Sequence, residues 1–438
     1  MPEPDSLPAR PDRRAEALVR SADSADVRRA RALLAADPAL ARHDMACACV
    51  SGEVATVREL LSHAPERARA RTGPLDREPL LYACFSRLIR GMPERAESIR
   101  QVVRTLLDAG ADPNASFIHE DWKQVALYGA AGIAGDVELT RMLLEAGADP
   151  NDENEAHAVG EILYHACEFA DPTCAQLVIE AGTHQYVVDY CLGRALNFPN
   201  HAMVAMFCAD GAQGDAGHLD QAINRRRPVE TVRLLLDADA PVDEPDAGGV
   251  TPLRWATRWG LDDVAALLVE RGAATVAVTE EDRALGAFLQ GRGGAPRGEN
   301  LDGMLDTVIA AGDVQAVRRL LDAGAHLDRG PRAEGTPLGE ACWRGRPEVV
   351  KELIARGAPL TFDNGGSAVG AALHGSRHCT DPEGGPTMRT IEEVDKPPYA
   401  EVLRILLAAG APLPERLVDG TTTATLFAEL GVDPPDGA

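Results

Sequence analysis

The densest cluster of chemically versatile side chains is His374, His378, Cys379, Asp381 and Glu383, within the stretch HGSRHCTDPEGGPTM. Imidazole, thiolate and carboxylate are the donor types that hold zinc. Gly375 is expected to end a helix near His374, so the two histidines need not share a face, and no regular ligand spacing follows. Three uses stay open for this stretch: an ordered loop held by its own polar contacts, a ligand or partner contact, and a metal site. No metal ligand is assigned. Named enzyme signatures each fail at a particular residue. A phosphate-binding loop needs lysine followed by Ser or Thr, and the only lysines, Lys123, Lys351 and Lys396, precede Gln124, Glu352 and Pro397. His119-Glu120 opens like a zinc-protease helix but meets Lys123 where the second histidine belongs. Gly365 to Val369 imitates a nucleophile elbow yet ends in valine instead of glycine. Gly291, Gly293, Gly294 and Gly298 follow no strand, so they make no dinucleotide fingerprint. Arg225-Arg226-Arg227 is either a solvated turn or an anion site. No catalytic residue and no cofactor emerge from this search.

The elements that must position these residues are bounded by composition. The chain has 438 residues, 45% hydrophobic and 4% aromatic, so its core is built from small aliphatic side chains. A net charge of −24 repels nucleic acid and anionic membranes and accommodates a basic protein partner. Arginine supplies nearly all the positive charge, and with abundant Ala, Gly and Pro this usage leads to the expectation of a GC-rich, bacterial source. No run of about 18 apolar residues spans a membrane, and MPEPDSLPARPDRR lacks the apolar core of a secretory signal. Nine cysteines without framework or zinc-finger spacing suit a reducing compartment, so a cytoplasmic location is expected.

Self-similarity decides the architecture. An apolar pair followed by Gly-Ala recurs at Leu106-Leu107 before Gly110, Leu143-Leu144 before Gly147, Leu267-Leu268 before Gly272, Leu320-Leu321 before Gly324, Leu353-Ile354 before Gly357 and Leu406-Leu407 before Gly410. Thr251-Pro252-Leu253 and Thr336-Pro337-Leu338 stand at one fixed distance upstream of Gly272 and Gly357. Thr before Pro reads as a helix cap with proline in the first turn, and the glycine reads as a left-handed helix stop. Each unit is therefore two short helices joined by a turn. Two helices cannot bury both of their apolar faces alone, so units must stack.

These phrases resemble the ankyrin repeat family. Leu106 to Asn114 (LLDAGADPN) and Leu143 to Asn151 (LLEAGADPN) match its closing phrase, and Thr251 to Ala256 its opening. The resemblance implies an all-α ankyrin-repeat solenoid of stacked helix-turn-helix units with short hairpin loops, about eleven units over roughly 15–413. Expected boundaries are a polar tail over 1–14, a repeat block over 15–275, an irregular helix and Gly-rich linker over 276–300, a second block over 301–413 with an inserted loop at 376–398, and a cap over 414–438. A further insertion falls around 86–96. Cys84, Cys167 and Cys342 take one repeated position, where a small buried thiol packs as a hydrophobe.

In that fold the end of each first helix looks toward a concave groove. In register, those positions hold Phe85, Phe169, Phe198, Arg225, Arg258, Trp259, Trp343, Arg344 and His374. Composition alone would place roughly one aromatic there. Two readings follow: rings and arginines that bind a partner, or rings that pack against the neighbouring repeat. The function implied is a non-enzymatic protein–protein interaction scaffold using the concave face and hairpin tips. The alternative is an enzyme or a ligand- or metal-binding accessory protein using the aromatic groove and the 374–388 loop. The binding reading predicts that Trp259→Ala or Trp343→Ala weakens partner binding at least about tenfold with little change in thermal midpoint. The packing reading predicts the reverse, and both quantities measured on the same variants separate them.

Overall fold

Helix starts are set by short polar side chains that accept an otherwise unpaired backbone N–H. Thr251 caps the helix Pro252–Arg258 by accepting from the Arg254 amide at 3.4 Å, and Thr336 caps Pro337–Trp343 through the Gly339 amide at 3.1 Å. Proline occupies the first turn of both helices, where its missing N–H breaks no bond. Asp136 and Asp313 cap second helices, Val137–Glu145 and Val314–Asp322, in the same way. Second helices turn an apolar stripe inward: Val349, Val350 and Leu353 of Pro347–Ala355 are all buried. First helices meet through small side chains, and Ala83-Cys84, Ala166-Cys167 and Ala341-Cys342 are buried where units stack. Burial drives the Cys84 and Cys342 thiols upward, so both stay protonated.

The computed structural model describes residues 11–24, 27–119, 122–151, 161–198, 200–295, 300–328, 336–362, 366–378, 397–413, 427 and 431–432. Within each of two units they form helix pairs packed on one another. Among them the one sheet is a hairpin, Ser116–His119 paired antiparallel with Trp122–Val125. No helix among the described residues is long and apolar enough to cross a membrane. The chain divides into two units between Ala195 and Leu196.

In the first unit the residues around 86–96 form the helix Leu88–Gly91 and the start of the long helix Pro93–Asp108. The Arg87 amide donates to the Ala22 carbonyl at 2.8 Å, tying this insertion to the helix Pro11–Asp23. Buried Glu168 is held by Arg194 Nη2 at 2.6 Å and His165 Nδ1 at 2.9 Å, while His165 Nε2 faces Glu161 at 2.8 Å. Both imidazole nitrogens thus meet carboxylates.

In the second unit the pairs are Ala216–Asn224 with Val229–Asp237, Pro252–Arg258 with Asp262–Glu270, Leu301–Ala310 with Val314–Asp322, Pro337–Trp343 with Pro347–Ala355, and Ala368–His378 with Pro397–Ala408. A single helix, Glu280–Leu289, stands between the second and third pairs and packs within this unit. Thr279 and Asp282 form a reciprocal capping box at its start. Asp282 is fully buried and also takes Arg254 Nε at 2.8 Å and Arg258 Nη1 at 2.9 Å. A Cβ at Gly286 would lie 2.0 Å from the Thr257 carbonyl oxygen, so only glycine lets this helix reach its neighbour.

Gly375 was expected to stop its helix, and it does not: the helix Ala368–His378 runs through it. A Cβ there would lie 2.2 Å from the Trp343 carbonyl oxygen. Its glycine serves close approach between first helices, not termination.

Burial raises the Asp282 carboxyl, but the Arg254, Thr279 and Arg258 donors outweigh it and hold the carboxyl at about 2, below the ordinary 3.8. Between those values the folded chain binds fewer protons than the unfolded one. The stabilisation is complete above about pH 4 and is lost as acid takes the pH toward 2. Asp282→Asn, which leaves two arginines without their shared anion, should cost roughly 3 kcal/mol at neutral pH. Urea unfolding of both forms at pH 7 and below pH 4 should show this difference shrinking with acid.

Candidate functional site

In the second unit the ends of first helices and the turns that follow them converge on an open cleft of about 760 Å³. One wall is Gln221 and Asn224 of Ala216–Asn224, with the turn Arg225 to Pro228. Leu261 contributes from the turn after Trp259. The opposite wall is Asp306, Thr307, Ala310 and Ala311, then Asp313, Glu340, Arg344 and Arg346. The volume falls in the range of ligand sites, but the lining is mostly charged and polar where small-molecule sites are mostly apolar.

The lining inverts the sign of the chain. Arg225, Arg226, Arg227, Arg344 and Arg346 face Asp306, Asp313 and Glu340, so guanidiniums outnumber carboxylates in a protein of net charge −24. Several of these arginines are fixed in place. Arg227 donates to the carbonyls of Leu196 at 3.1 Å and Asn197 at 3.2 Å, and Arg346 donates twice to the Ala310 carbonyl, at 3.0 and 2.7 Å. Arg344 Nε bonds Glu340 at 2.5 Å, one turn back on its own helix.

Arg226 is the unusual member. After Trp259, Ala311 and Arg344 the chain turns on glycines, Gly260, Gly312 and Gly345, each with positive φ. The equivalent residue after Arg225 is Arg226, with φ of 53°. A left-handed conformation costs an L-residue about 1–2 kcal/mol. Its guanidinium crosses to Asp313 at 2.8 Å and joins the two walls. Burial raises the Asp313 carboxyl, but the Ala316 amide and Arg226 outweigh it and hold Asp313 below the usual carboxylate range.

The structure brings Arg225 and Arg344 together in this cleft and places the other described groove candidates elsewhere. Phe85 is buried and meets Phe117 and Tyr128 edge-on at 5.1 and 5.9 Å. Phe169 is buried under the Arg90 guanidinium, 4.9 Å from its ring centre, and Phe198 is 3% exposed. Trp259 is 4% exposed, stacks on Trp255 and donates to Asn224 Oδ1 at 2.8 Å. Arg258 pairs with Asp282. Trp343 is half-buried, its carbonyl accepting from the Tyr399 hydroxyl at 2.8 Å. The side chains of His374 and His378 and all of Cys379, Asp381 and Glu383 lie outside the described residues, as does most of the 376–398 loop. Among the described residues no group of three or more metal-ligating side chains converges.

The opposite wall lies in a stretch with a known relative. Residues 305–354 match the family model for ankyrin repeats (many copies). That segment carries ankyrin repeats. Ankyrin repeats generally serve as protein–protein interaction modules. Solved structures similar to the chain include the human ASB11 ankyrin repeat domain, at 20% identity and a TM-score of 0.24, over 62% of this chain and 98% of that one. Another is an ankyrin repeat domain from Acinetobacter baumannii AYE, at 24% identity and a TM-score of 0.25, over 49% of this chain and 91% of that one. No curated protein matches the chain. Within the 305–354 segment, Asp313, Arg344 and Arg346 stand in the turns between the two helices of successive units, and Glu340 lies one helical turn before Arg344.

Sequence reasoning singled out Arg225 to Arg227 as a turn and missed Arg346, Asp306, Asp313 and Glu340 as their companions. The available signal was Arg226 in a slot where other units carry glycine. The burial of Trp259 makes it an inter-repeat strut, so Trp259→Ala should open a cavity and cost about 3 kcal/mol or more. Urea unfolding followed by circular dichroism should show an earlier transition, and an unchanged midpoint would return Trp259 to the surface.

Proposed function

We propose that the chain is a non-enzymatic protein-interaction scaffold whose docking surface includes the concave edge of the second unit. The observation that supports it is the convergence of first-helix ends and turns from successive units on one open cleft. A stacked scaffold holds such a surface rigid, so little conformational freedom is lost when a partner orders against it. No reaction is needed to explain the lining: its arginines are held by carbonyls and carboxylates, and the described thiols that burial shifts are all pushed upward, Cys174 and Cys208 to about 11.

Panning a displayed peptide library on the whole protein tests this reading. Binders should compete with one another and lose affinity at least about tenfold on Thr307→Trp, which fills the cleft. Arg233→Trp, on the exposed face of Val229–Asp237, should leave them unchanged. Binders indifferent to Thr307→Trp would move the docking surface away from this edge.

A further inference from the structure

The lining of the cleft says what kind of segment it takes. Five guanidiniums against three carboxylates leave an excess of positive charge, and guanidinium is the side chain best matched to planar, two-point pairing with a carboxylate. The three interleaved carboxylates break that positive field into separate spots, which disfavours a compact polyanion and suits single charges spaced along a chain. Gln221, Asn224 and Thr307 add uncharged polar groups to the lining, which suits the polar backbone of an extended peptide better than an apolar ligand. The bridge from Arg226 to Asp313 fixes the distance between the walls and is kept at the expense of an unfavourable backbone conformation. A conformation so costly persists where its surroundings impose it, and such positions gather at ligand clamps.

We infer that this cleft is a docking site for a short acidic segment, rich in Asp and Glu, of a partner protein, with Arg225 and Arg344 receiving its carboxylates. The inference rests on the scaffold reading above and names the chemistry of the partner at that same surface. Chain-wide acidity alone favours a basic partner; the cleft selects against the overall charge, because contact pairs are governed by local geometry while distant charges are screened beyond about 8–10 Å at physiological salt. Arg226 is a positioning residue here: it holds the walls through Asp313 and need not touch the peptide.

A fluorescein-labelled peptide of alternating Asp and Glu separated by Gly serves as the probe, read by anisotropy on the full chain. It should bind, while the same peptide with Asn and Gln should bind at least about tenfold more weakly. Arg225→Ala with Arg344→Ala should weaken the acidic peptide at least about tenfold and leave the amide peptide unchanged. Asp306→Asn removes an exposed negative charge from the wall and should tighten the acidic peptide several-fold, a gain that misfolding cannot imitate. Equal affinity for the two peptides, or no response to either arginine or to Asp306, overturns the proposal. Displacement of the peptide by inorganic phosphate at similar concentration also overturns it, in favour of a small-anion site. If panned binders respond to Thr307→Trp yet are basic or apolar, the scaffold reading stands and the acidic-segment inference falls. If the acidic peptide binds but Thr307→Trp leaves it untouched, the location itself is wrong.

Discussion

Everything in this protein depends on how closely one first helix can approach the next. A two-helix unit has apolar surface on both sides and cannot cover either by itself, so stability comes from the contact between units. That contact is short range. Ala83, Cys84, Ala341 and Cys342 keep it thin, and Gly286 and Gly375 thin it further by laying backbone against the carbonyls of Thr257 and Trp343. Where backbones come this close there is no room for a variable side chain, so variation is displaced to the ends of the first helices and to the turns. The candidate site occupies those places because the stacking constraint leaves them free to change.

The aromatic excess at the helix ends belongs to the same constraint. Close approach in the middle of a first helix leaves a wedge of space at its end, where the chain turns away toward the second helix. Phe85, Phe169, Phe198 and Trp259 are all buried at such ends, and Trp259 adds a hydrogen bond to Asn224 of the preceding unit. Enrichment over composition was therefore a real signal whose cause could not be read from the sequence. A ring that binds a partner and a ring that fills a wedge occupy the same register position, and only burial separates them.

What could be read from the sequence was whatever is decided within one repeat. Thr251 and Thr336 as caps, the prolines that follow them, Gly357 as a stop and the buried apolar stripe of Pro347–Ala355 all depend on neighbours a few residues away. Illegible features depend on contacts between units. Gly375 has the composition of a helix stop, but its role is set by Trp343 on another helix. The helix expected within 276–300 was legible, as Glu280–Leu289, but its tie through Asp282 to Arg254 and Arg258 was not. Asp313 looks like an ordinary helix cap until Arg226, far earlier in the chain, is placed beside it.

Arg226 shows how a repeat scaffold can acquire a specific site without disturbing its core. Replacing the turn glycine with arginine costs backbone energy, but the turn sits at the edge of the stack, where no neighbouring helix is displaced. Its N–H still closes the turn on the Ile223 carbonyl at 2.9 Å, as glycine would, so the unit keeps its geometry while gaining a long cationic side chain. That side chain is useful only because the units after the single helix present Asp313 within reach. Local strain and long-range placement are therefore coupled: the substitution would be a pure loss in a unit with no acceptor opposite, and here it joins the two walls of the cleft.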